Sequence, residues 1–98
     1  MTDQRRTPRA RIEMDCTLHR RVGSPIAGHT VDIGPGGMCV CTKRPLATDE
    51  LLRFELPHGI DGRGRVLRQQ TLDTYAMRFE LMEEAARLEL SRLTEARV

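Results

Sequence analysis

The chain has no tryptophan, one tyrosine and two phenylalanines in 98 residues. Single-stranded nucleic acid is usually held by bases stacked on aromatic rings, so this scarcity counts against a nucleic-acid partner. The net charge of only +2 points the same way. No apolar run reaches the roughly 18 residues of a membrane-spanning helix. The basic start, MTDQRRTPRARIE, is followed by no hydrophobic stretch and so does not read as a secretory signal. The three cysteines form neither a disulfide framework nor a CxxC pair. Free, reduced thiols in a cytoplasmic protein are the simplest expectation, and no metal centre is expected from Cys39-x-Cys41. No nucleophile stands beside a recognisable base, so an enzyme is not expected. Lysine is also nearly missing: of sixteen basic residues, fifteen are arginine and one is Lys43.

What is present is mostly alternation. From Arg11, residues Ile12, Met14, Cys16 and Leu18 face one way and Glu13, Asp15, Thr17 and His19 the other, the pattern of a half-buried strand. A second strand is expected over Ile26–Ile33. In Gly37–Thr42 both faces are apolar, Met38 and Val40 on one and Cys39 and Cys41 on the other, so cover on both sides is expected. Leu52, Phe54 and Leu56 mark a fourth strand and Gly62–Gln70 a fifth. Tyr75, Met77, Phe79 and Leu81 mark a sixth. The period then changes to helical over Met82–Arg97, with Met82, Ala86, Leu90 and Leu93 in one stripe and Ala85 and Leu88 beside it. That helix is a candidate lid for the doubly apolar strand. Six short strands and one terminal helix predict an all-β fold, a small antiparallel barrel at 11–98 with a helix at 82–97, preceded by a flexible basic arm at 1–10.

The stretch with most chemical content is Asp32-Ile33-Gly34-Pro35-Gly36-Gly37. Proline removes a donor and glycine admits close approach of another group to the backbone, so a turn is expected here, with a carboxylate at its edge. The arm contributes Arg5-Arg6-Thr7-Pro8-Arg9. Guanidinium forks onto phosphate and guanine edges and stacks on rings, which ammonium does not.

Together these two segments resemble the PilZ domain, the receptor module for the bacterial second messenger cyclic di-GMP. Arg5 and Arg9 match that family's RxxxR motif, and Asp32 and Gly37 match the ends of its D/NxSxxG motif. Gly64-Arg65-Val66 and Met77-Arg78-Phe79 look like its fifth- and sixth-strand patterns, so the resemblance runs over about residues 5 to 85. It implies a split barrel of six antiparallel strands with a C-terminal helix. It also implies cyclic di-GMP as ligand, with Arg5, Arg6, Arg9, Asp32, Gly34, Gly36 and Gly37 around it, and a separate downstream protein as the receiver of the signal. An arm that is free without ligand and folds over it is expected. One departure stands out: Gly34 occupies the family's serine position and removes a hydroxyl. The alternative is therefore a degenerate adaptor, in motility or pilus assembly, that binds protein and not nucleotide.

Overall fold

The computed structural model describes residues 9–95. Its six strands are β1 (Asp15–His19), β2 (Ile26–Gly34), β3 (Gly37–Cys41), β4 (Leu51–Leu56), β5 (Ile60–Gln69) and β6 (Thr74–Leu81), followed by one helix, α1 (Glu84–Glu95). All pairs are antiparallel, and the sheet closes as β1-β2-β3-β6-β5-β4. Among the described residues, closure leaves no free strand edge to recruit another chain. The inward positions fill the barrel: Leu18, Ile26, Ile33, Val40, Phe54, Ile60 and Val66 are all fully buried. The rings of Phe54 and Phe79 stack at 5.0 Å between centroids.

The predicted first strand begins later than its alternation suggests. Ile12 is buried as expected, but Thr30 inserts its hydroxyl between the two chains. It donates to the Ile12 carbonyl at 2.5 Å and accepts from the Met14 amide at 3.1 Å, so only the Thr30 amide to Met14 carbonyl bond of the ladder remains here and β1 begins at Asp15.

Three irregularities re-aim side chains. Thr30 pairs with Val40 but Asp32 with Cys39, so Val31 is an extra residue in β2. Val66 pairs with Met77 but Arg68 with Ala76, so Leu67 is extra in β5. Arg63 pairs with Leu81 but Gly64 with Phe79, so Glu80 is extra in β6. Each inserted residue reverses which parity faces inward. Leu81, expected inside with Tyr75, Met77 and Phe79, is consequently 58% exposed and Met82 is buried in its place.

The helix is not a lid on β3. It packs chiefly on β5, β2 and the 3-10 turn at Pro57–Gly59. Because β2 and β5 lie across the barrel from each other, a helix touching both spans an open end. Ala86, Leu90 and Thr94 are its buried side chains, while Leu88 points to solvent. The second face of β3 is left to smaller cover: Cys39 is buried and Cys41 half-buried.

Candidate ligand-binding cleft

The turn at the end of β2 is a two-residue hairpin. Gly34 pairs with Gly37, and Pro35 and Gly36 form the tip. Positive φ among the described glycines falls at Gly23 and Gly59, so glycine is not used here for a left-handed backbone. Gly37 is required for proximity: a Cβ on it would collide with the Met77 carbonyl of β6. A Cβ on Gly36 would meet only open space.

The bulge at Val31 determines what Asp32 does. On a strict alternation from Ile26 and Thr30, both buried, Asp32 would face the core. The extra residue turns Ile33 inward and Asp32 outward. Outward positions then line up across four strands. Asp32 is opposite Cys39, Cys39 opposite Ala76, and Ala76 opposite Arg68. The next row runs Gly34, Gly37, Arg78, Arg65. Small side chains in the middle of these rows, with Asp32 and Arg68 at their flanks, leave a cleft of about 390 Å³. Arg9, Asp32, Gly36, Gly37, Arg68 and Arg78 are among its lining residues. Small-molecule sites occupy roughly 300–1,000 Å³.

Arg9 is already in place over this cleft. The chain around it is stitched to β2, because Ala10 exchanges two backbone hydrogen bonds of 2.9 Å with Ile33 and is itself buried. Arg9 donates from Nε to Asp32 Oδ1 at 3.0 Å and from Nη2 to the same oxygen. Residues 9 and 10 of the expected arm thus lie against β2, and residues 1–8 are outside the described residues. Both partners are about a third exposed, so the pair is worth only about 0–1 kcal/mol and is exchangeable.

The lining carries three guanidiniums, Arg9, Arg68 and Arg78, against the carboxylate of Asp32. Arg78 donates to Glu80 Oε2 at 2.8 Å, and Arg65 grips the same carboxylate with Nε at 2.7 Å and Nη2 at 3.1 Å. These two guanidiniums hold the Glu80 carboxyl down at about 2. Burial, then the charge of Asp32, pushes the Cys39 thiol up, so it remains protonated and donates to Gln70 Oε1 at 3.1 Å.

Of the residues expected around a ligand, Arg9, Asp32, Gly36 and Gly37 come together here. Gly34 is buried and outside the lining. Arg5 and Arg6 lie outside the described residues. The sequence reading missed Arg68 and Arg78. Arg78 could have been found as the outward residue between Met77 and Phe79; Arg68 could not, since it faces outward only because of the bulge at Leu67.

The PilZ domain pattern matches residues 3–96, almost the entire chain. The chain belongs to the PilZ domain family. Its fold is similar to that of the Bacillus subtilis inhibitor of motility (MotI/DgrA), with a TM-score of 0.82 at 15% identity over 98% of this chain. The PilZ chain described here spans about half (52%) of that protein. Comparison with curated proteins finds no match.

Proposed function

We propose that this PilZ domain is a bacterial, cytoplasmic receptor for cyclic di-GMP, with no catalytic role, that passes its occupancy to a separate protein. The observation that carries the reading is the outward row from Asp32 to Arg68, floored by Cys39 and Ala76 and overlaid by Arg9. A guanine offers N1–H and N2–H₂ donors to a carboxylate and O6 and N7 acceptors to a guanidinium. Asp32 suits the first edge, and Arg9 and Arg68 suit the second or a phosphate. A floor of small side chains lets a flat ring approach, and with few aromatics available arginine supplies the stacking. Ligand binding exchanges the Arg9–Asp32 pair for contacts of both residues with the nucleotide.

Gly34 favours a second reading, the adaptor that does not bind nucleotide. A missing neutral hydrogen bond costs about 0.5–1.5 kcal/mol, a weakening of roughly 2- to 12-fold and not abolition. Calorimetric titration decides. Wild type should bind cyclic di-GMP in preference to cyclic di-AMP and to single-stranded RNA. Asp32→Ala should weaken binding about ten-fold or more and erode the preference for guanine. Gly34→Ser, outside the lining but on the same cross-strand row as the lining residues Gly37 and Arg78, restores the hydroxyl beside the cleft and should tighten binding several-fold. No heat from cyclic di-GMP with either wild type or Gly34→Ser would refute the receptor and leave the adaptor.

A further inference from the structure

The outer surface of β1, β4 and β5 carries a second and larger concavity, about 700 Å³, that shares no lining residue with the first. Arg20, Arg21, Arg53, Arg63 and Arg65 line it with His19 and two leucines, and no carboxylate is among its lining residues. The register builds it: His19 is opposite Arg53, Arg53 opposite Arg63, and Leu51 opposite Arg65. Like charges in directly opposed positions cost stability. The fold limits that cost with carboxylates set outside the lining. Glu50 holds Arg20 at 2.5 Å, Glu55 holds Arg53 at 3.2 Å and His19 at 2.8 Å, and Glu80 holds Arg65 at 2.7 Å. Among the described residues, no carboxylate pairs with Arg21 or Arg63. Both are exposed, and Leu51 beside them is 40% exposed. Val22, which follows Arg21, is 85% exposed.

We propose that this cleft docks an acidic segment of a partner protein, with carboxylates on Arg21 and Arg63 and an apolar side chain on Leu51. Charge complementarity requires an anion, since the two unmatched guanidiniums face a lining without a carboxylate. The exposed Leu51 in the lining selects among anions: a polyphosphate has no use for apolar surface, whereas a peptide mixing acidic and apolar residues covers it. The lining has no phenylalanine, tyrosine or tryptophan, and its single ring, His19, is held by Glu55, which counts against single-stranded nucleic acid. Because the barrel is closed, the partner cannot add a strand and must be read by side chains. Arginine is enriched in such interfaces because its planar fork meets carboxylates bidentately.

The test uses a fluorescein-labelled synthetic peptide of alternating glutamate and leucine, without cyclic di-GMP, so its outcome is independent of the first cleft. Anisotropy should show binding, and amide NMR shifts should fall on β1, β4 and β5. The Arg21→Ala/Arg63→Ala double variant should weaken it about ten-fold or more. Arg92→Ala, at an exposed position on α1, should leave it unchanged. Melting curves should show both variants folded, since all three side chains are on the surface. Undiminished binding by the double variant would overturn the proposal. So would shifts confined to the Arg9–Asp32 cleft, equal binding of a glutamine-for-glutamate peptide, or tighter binding of tripolyphosphate or an RNA oligonucleotide.

Discussion

Gly36 and Gly37 are adjacent in the hairpin and do different work. Gly37 lets β6 come close, since a methyl group there would push into the Met77 carbonyl. Gly36 has open space where its side chain would be, and it lines the cleft. Gly37→Ala should therefore lower stability by about 1–3 kcal/mol, the usual range for overpacking. Gly36→Ala should leave stability nearly unchanged while narrowing the cleft and weakening cyclic di-GMP. Urea denaturation beside nucleotide titration separates the two effects; equal losses of stability would mean that the hairpin, and not the contact with β6, is what matters. Of the expected site residues, Asp32 and Gly37 were legible because a Gly-Pro-Gly-Gly tract leaves few backbone options. Arg9 was legible as a residue type at a spacing, but its hold on Asp32 was not. Spacing along a chain does not reveal that Ala10 docks on Ile33.

At the level of elements, α1 offers a clear contrast. Leu90 is 2% exposed at the barrel's end and Leu88, two residues earlier, is 59% exposed. Leu90→Ala should cost about 2–5 kcal/mol, and Leu88→Ala should stay within about 0.5 kcal/mol. Thermal melts of the two variants check the plugging role; similar melts would show that α1 contributes little to closing the barrel. The strands were legible from alternation, with ends displaced by a few residues, because inward positions of a small barrel must be apolar. Where alternation misled, a bulge intervened. Leu81 fits the inward parity of Tyr75, Met77 and Phe79 until Glu80 interrupts it, and Arg68 fits the inward parity of Val66 until Leu67 does. Nothing in the residue types near Val31, Leu67 or Glu80 marks an insertion, since each bulge is settled by pairing with a distant strand. The doubly apolar pattern of β3 likewise suggested a helix above it, whereas its cysteine face opens partly onto the cleft.

At the scale of the whole molecule, closure of the barrel places the two clefts on one continuous sheet, with Glu80 between them. Its carboxyl is depressed to about 2 from an ordinary 4.5, and Glu50 and Glu55 are lowered as well by their arginine and histidine partners. A carboxyl depressed in the folded state adds stability above its unfolded pKa and loses it as pH falls towards the folded value. The melting temperature should accordingly decline as pH drops from about 4.5 to about 2, and Glu80→Gln should flatten that part of the profile. An unchanged profile in the variant would mean that the pairings at Glu80 do not stabilise the folded state.

The same carboxylate can also act as a shared tether. Arg78 lines the first cleft and Arg65 the second, and one oxygen of Glu80 accepts from both. An anion that draws Arg78 away leaves Glu80 to Arg65 alone, and Arg65 then has less freedom to turn towards a guest of its own. Linkage makes the effect mutual. If the two proposed occupants bind in these clefts, this wiring makes them antagonists: cyclic di-GMP should weaken the acidic peptide, and Glu80→Gln should remove that effect.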